Sequence, residues 1–271
     1  MKSFLLFLFF ILLLNLNAQT DAPALAGARG AALGNASVTF SDINSAFSNQ
    51  AGLAFLQNVS FTAVAEQRFL ISELQSISAA AALPTASGVW GLTVNYFGFE
   101  TFNQQKIGLA YARKLFDNLS IGAQLLMLNT NIQEYGNKTN LTFELGIISQ
   151  LLPELRLGVH AYSPARVRLS EEDILPTVFK IGLAYLPSSR VVCTAEVEKD
   201  IDFPVRTKFG AEYQLIEQLH LRVGLATRPT NYSFGIGYGF SNGLSLDIAS
   251  VHHQYLGFTP AISISYQRKK T

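Results

Sequence analysis

Glu196 and Glu198 stand two residues apart, Lys208 and Glu212 four, and Arg222 follows, with Glu144 and Arg156 on earlier stretches. In extended chain an even spacing puts side chains on one face. On neighbouring strands such residues come close enough to pair across the ladder. Acids alternate with bases, so the set reads first as salt bridges filling an interior and second as a conducting or binding lining. The remaining candidates offer less chemistry. His252 and His253 are adjacent, so they point to opposite faces of extended chain, and His160 and His220 lack a Cys or carboxylate at ligand spacing. No metal site is expected. The GIGYG run at Gly235–Gly239 lies in a strand and is not followed by the Lys-Ser/Thr of a phosphate loop. Glu171, Glu172 and Asp173 sit beside Arg166 and Arg168. They supply fewer oxygen ligands than calcium needs, so the stretch is expected to be a solvated charged loop and an extracellular docking surface. No Ser-His pair falls on an apolar face near a strand end. The expectation is a protein with no catalytic residues and no cofactor.

The elements that position these residues are strands. From Asn58 on, apolar residues alternate with small or polar ones in segments of about ten, each closed by turn residues. The pattern predicts fourteen strands, near 59–68, 75–83, 88–98, 104–113, 118–130, 140–151, 154–162, 177–187, 190–199, 205–215, 218–227, 231–240, 244–252 and 260–267. Connections after even-numbered strands are tight, as in FDN, PE and EQ, whereas NIQEYGNK, SPARVRLSEEDILP and HQYLGF follow odd-numbered ones. An even strand count, short turns on one side and longer loops on the other describe an outer-membrane β-barrel. A soluble β-sandwich is the alternative, but its strands average only about 5–6 residues.

Composition agrees. The chain is 49% hydrophobic and 14% charged, yet after the N-terminus no window holds 18 uninterrupted apolar residues, so membrane helices are not expected. A net charge of +1 gives no electrostatic case for nucleic acid, and the single Cys193 has no internal disulfide partner. Lys2, the apolar run Phe4–Leu14 and the polar stretch around Ala18 read as a secretory signal peptide over 1–18. Export and a barrel together imply the outer membrane of a Gram-negative bacterium, with outer-membrane lipid as the first partner.

If the large apolar residues face lipid, the charged set faces the lumen. The opposite assignment would put Lys or Arg at mid-bilayer, at about 2–4 kcal/mol each. The lumen set also holds Gly91, Gly108, Gly122, Gly146, Gly158, Gly182, Gly210, Gly224 and Gly237. Glycine at mid-strand marks a bend or a close backbone approach, leaving room for something inside. The small-residue stretch GARGAALGNASVTFSDINSAFSNQAGLAFL, from Gly27 to Leu56, is the candidate. Asp42 or Ser41 could cap a short helical turn there, and Asn49 and Gly52 suit tight turns. Residues 19–57 are therefore expected to plug the periplasmic half of a barrel formed by 58–271. On the lipid side, the alanines of SISAAAAL (76–83) are a candidate protein-contact wall.

The same stretch resembles the N-terminal signature of the PorV/PorQ family of outer-membrane proteins, roughly G-A-R-x-x-x-x-G-x-A-x-V, then an Asp, an Ala and N-P-A-G-L. Gly27, Ala28, Arg29, Gly34, Ala36, Asp42, Ala46, Asn49, Ala51, Gly52 and Leu53 match, and Gln50 stands where the family has Pro. That family is distantly related to the FadL fatty-acid transporters, fourteen-stranded barrels with an N-terminal hatch. The resemblance implies one of two roles. PorV-like proteins serve type IX secretion as partners that bind cargo or anchor surface subunits. FadL-like proteins pass hydrophobic molecules to a lateral opening in the wall. With so many ionisable residues expected in the lumen, the expectation is a non-catalytic accessory subunit of a secretion or barrel-assembly machine, docked to other outer-membrane or surface proteins. Transport of hydrophobic small molecules is the alternative.

Overall fold

A strand that alternates large apolar with small or polar side chains has two faces with opposite solvent preferences, and a sheet of such strands is satisfied only by closing on itself between lipid and a filled interior. The computed structural model describes residues 25–134, 136–167 and 174–268. The stretch 1–18, expected from the sequence to be a signal peptide, lies outside them. The strands are β1 (Ser60–Gln67), β2 (Gln75–Pro84), β3 (Val89–Gly98), β4 (Phe102–Phe116), β5 (Leu119–Ile132), β6 (Gly136–Leu152), β7 (Leu155–Tyr162), β8 (Val178–Ser188), β9 (Val191–Asp200), β10 (Arg206–Ile216), β11 (Leu219–Ala226), β12 (Asn231–Gly239), β13 (Leu244–His253) and β14 (Gly257–Gln267). Each pairs antiparallel with its sequence neighbours, and β1 pairs with β14 to close the barrel. No helix among the described residues is long and apolar enough to cross a membrane. All fourteen expected strands are present, as an outer-membrane type of barrel.

Register fixes the faces. Phe61, Leu92, Leu109, Leu125, Leu145, Ile181, Phe209, Val223, Phe234, Ile248 and Ile264 are exposed, while the residues between them are buried. Buried Lys106, Glu144, His160, Lys180, Glu196, Lys208, Glu212, Arg222 and Asp247 therefore point inward. The free Cys193 is exposed.

Two expected loops shrink. The polar stretch NIQEYGNK continues the β5–β6 ladder as far as Ile132 opposite Gly136, held by the Asn129 amide donating to Asn137 Oδ1 (2.7 Å) and Thr139 Oγ1 (2.9 Å). Likewise β13 and β14 pair out to His253 opposite Gly257. Polar side chains mark where lipid ends, and cross-strand pairing continues past that point. The longest connection between strands, 163–177, lies between β7 and β8.

Residues 25–56 include α1 (Gly27–Ala32) and two short 3₁₀ helices, Ile43–Phe47 and Gln50–Phe55. They lie inside the ring, with Ala28, Leu33, Ala46, Asn49, Gln50, Ala51 and Leu53 at 0% exposure against the inward faces of the strands.

Candidate functional site: the barrel lumen and its N-terminal segment

The segment fits because the wall makes room for its backbone. A Cβ on Gly91 would strike Leu53, one on Gly122 the backbone of Gln50 and Ala51, one on Gly146 the Asn49 side chain, and one on Gly158 the Val38 carbonyl. On the other side Gly182 faces Val38, Gly210 and Gly224 face Leu33 and Gly34, and Gly235 faces Ala32. Gly108 and Gly237 face wall side chains instead. A Cβ at Gly237 on β12 would lie 2.5 Å from Arg222 Nη1, so that glycine lets Arg222 on β11 reach Asp247 on β13.

Within the segment, Gly27 (φ +71°) and Gly34 (φ +66°) hold left-handed backbone, Gly34 against the Leu225 and Phe209 backbones, where L residues other than glycine are disfavoured. Asp42 caps the Ile43–Phe47 turn, its Oδ1 accepting the Asn44 N–H at 2.8 Å. Asn49 caps the next turn through the Ala51 N–H, and its amide donates to the carbonyls of Val38, Ile147 and Val159. Gly52 lies where a Cβ would meet the Ser45 side chain and the Phe40 carbonyl.

Charge ties segment to wall along β6–β13. Arg29 donates bidentately to Glu212 (2.9 Å twice) and to Asp42 (2.5 Å). Burial alone would lower the Arg29 pKa, but the Glu212 and Asp42 carboxylates outweigh it and raise the value. Glu212 also accepts from Arg222 (2.5 Å), which reaches Asp247 at 2.6 Å. Glu196 Oε2 accepts the Ser37 and Val38 N–H groups, both at 2.8 Å, while Oε1 accepts from Lys208 (2.9 Å). Lys208 also donates to Glu198 at 2.6 Å. Arg156 donates to Ser41 Oγ and the Thr39 carbonyl, and Glu144 accepts from Gln50 (2.8 Å) beside His160 Nε2 (3.0 Å). The seven lumen residues singled out in the sequence thus meet the segment in four groups: Glu212 with Arg222, Glu196 and Glu198 with Lys208, Arg156 alone, and Glu144.

Gln50 is the residue that pattern reading missed. Where a Pro would end the accounting, its amide supplies the donor for Glu144. Asp247 and Gly235 fall where strict alternation along β13 and β12 puts them, on the inward face.

The outside loop is divided. Arg166 is half-exposed and pairs with Asp202 at 3.6 Å, while Leu175 and Thr177 are buried, Leu175 against Leu126, Leu128, Tyr162 and Val178. Arg168, Glu171, Glu172 and Asp173 lie outside the described residues. Among the described residues no group of three or more His, Cys, Asp or Glu could hold a metal. The ladder is continuous around the ring, including β1–β2, β2–β3 and β3–β4. On its outer face, Ala63, Ala79 and Ala81 floor a groove of about 380 Å³ walled by Phe61, Leu92, Val94, Ile264 and Tyr266.

Solved structures share the architecture. The chain superposes on the Ralstonia pickettii toluene transporter TbuX with a TM-score of 0.68 at 12% identity, covering 90% of this chain and 98% of that one. A TodX monoaromatic hydrocarbon channel mutant gives 0.69 at 11% identity (89% and 98%), and a Pseudomonas aeruginosa FadL homologue 0.65 at 13% (92% and 99%). The fold is therefore that of FadL-type outer-membrane channels. No family model matches the sequence and no curated protein does, so the PorV/PorQ likeness rests on the N-terminal motif alone.

Proposed function

We propose that the chain is a non-catalytic channel of the outer membrane that admits small hydrophobic molecules, held closed by residues 25–56 acting as a plug. One observation carries this reading: a barrel with the fold of hydrocarbon channels holds in its lumen a segment fitted to eight wall glycines. The ionisable lumen, which on sequence argued against transport, includes a partly open cavity of about 450 Å³ bordered by Arg29, Asp42, Glu212, Arg222 and Asp247. Its groups bond to one another and to the segment, so the charges belong to the closure rather than to the path. A cleaved signal peptide supplies the route to the membrane.

Expression in a Gram-negative host lacking hydrocarbon channels should raise the initial uptake rate of labelled toluene over vector alone. Unchanged uptake overturns the proposal. The alanine-floored groove on β14, β1, β2 and β3 favours a second reading, an accessory subunit of a secretion or assembly machine whose partner seats on that wall. A secretion or assembly component co-purifying at stoichiometric amounts, lost on replacing Ala79 and Ala81 with Trp, would select it.

A further inference from the structure

The apolar side of the segment forms a seam with the wall. Ile43, Ala46, Phe47, Leu53 and Leu56 pack on two valines and four alanines of β1–β4. A cavity lies at each end of this seam. Ala46 and Phe47 also line a small cavity of about 30 Å³ between the segment and β3–β8, which is of water size. Ile43 and Leu56 also line a partly open vestibule of about 450 Å³ at the short-turn end of the barrel, together with Ser60, Ser245 and Ser265 of the wall.

The routes past the segment differ in what must break. A route through the wall would separate paired strands, and the ladder is continuous across β1–β4. Backbone groups freed in lipid find no partners. A route along β6–β13 would part buried charges, since Arg29 holds Glu212, and Glu196 holds the Ser37 and Val38 amides. An apolar guest cannot replace those bonds, and each leaves a buried charge uncompensated. Along the seam the contacts are apolar and non-directional, so a guest of the same character restores what the parted surfaces lose. A polar tie on this side, the Thr62 hydroxyl donating to Asn44 Oδ1 at 3.3 Å, lies at the vestibule end, where Asn44 borders the open cavity.

We infer that cargo crosses the lumen along this seam, between the segment and β1–β4, and leaves through the vestibule into the periplasm. The inference rests on the channel reading and gives it a route. The segment shifts on its charged anchors while Phe47 and Leu53 part from the wall, and the width they leave sets the size of what passes. Cargo on this route is small, uncharged and apolar, because a charged group among alanines, valines and leucines would lie buried without a partner. The wall stays closed to the membrane throughout.

Initial uptake rates of labelled toluene and naphthalene in a host lacking hydrocarbon channels test the route. Phe47→Ala and Leu53→Ala widen the seam, and each should raise the naphthalene-to-toluene ratio by about threefold or more, the scale on which apolar sites separate molecules by size. Ile148→Ala removes a fully buried side chain from β6, on the charged half, and should leave that ratio at the wild-type value. Ser245→Trp narrows the vestibule and should lower toluene uptake severalfold. Heat-modifiable gel mobility checks that each variant folds. A ratio unchanged in Phe47→Ala and Leu53→Ala, a ratio raised equally by Ile148→Ala, or wild-type toluene uptake by Ser245→Trp keeps the channel and overturns the route. Toluene uptake by the wild-type chain no greater than with vector alone removes the channel reading, and the route with it.

Discussion

The inner wall of the barrel holds its guest in two unlike ways. Along β6–β13 the contacts are ionic and directional: Glu212 with Arg29, Glu196 with the Ser37 and Val38 amides, Glu144 with Gln50. Along β14 and β1–β4 they are small and apolar. Leu53, Phe47 and Ile43 pack on Val64, Ala80, Ala82, Val89, Ala110 and Ala112, and α1 packs its alanines on Ala261 of β14 and, at the border of the two halves, on Ala249 of β13. Apolar packing rewards burial without fixing direction, so the alanine side alone would let the segment slide. Charged pairs fix register, because a displaced carboxylate leaves its partner buried and uncompensated. The segment is located by one half of the ring and pressed home by the other.

That division predicts unequal responses. Lys208→Met should be the most damaging single change, because it leaves Glu196 and Glu198 facing each other beside the segment. Breaking a buried pair from one side costs about 3–5 kcal/mol. The urea midpoint of the folded barrel should fall accordingly, and adding Glu196→Gln and Glu198→Gln should recover part of the loss. A fall no deeper in the single variant than in the triple one would mean that ion pairing does not locate the segment.

On the apolar side Leu53→Ala tests packing alone. Leu53 is fully buried over Gly91, and deleting such a side chain typically removes about 2–5 kcal/mol. No charge is exposed by the change, so its effect should be independent of salt between low and high ionic strength. Protease sensitivity of residues 25–56 should rise only modestly, because the ionic half still sets the register. Release of the segment as complete as in Lys208→Met would erase the distinction between the halves.

How much of this was legible before the fold depended on which physical signal carried it. Period-two alternation is local, and the strands could be counted and their faces assigned from it, down to the inward set Glu196, Glu198, Lys208, Glu212 and Arg222. The mid-strand glycines signalled a bend or a close backbone approach, and eight of them face the segment while Gly108 and Gly237 make room for wall side chains. Partners were not legible, because pairing depends on stagger between strands that are distant in sequence. Arg222 meets Asp247 across an intervening strand only because Gly237 leaves space. Loop lengths were misread for NIQEYGNK because polarity reports the edge of lipid, not the end of a ladder.

The smallest expected effect falls at Asp42, where local and long-range roles share one side chain. Oδ1 caps the Ile43–Phe47 turn through Asn44 N–H, and Oδ2 accepts from Arg29. Losing a cap of this kind costs about 1 kcal/mol. The ion pair adds little, because Asp42 is about a third exposed and solvent screens it, while Arg29 keeps both bonds to Glu212. Asp42→Ala should therefore lower stability by about 1 kcal/mol, and Asp42→Asn, which retains the capping oxygen, by less than half of that. Equal losses in the two variants would assign the side chain to the ionic half of the wall; the expected split assigns it to the turn, and leaves Glu212 as the anchor that holds Arg29.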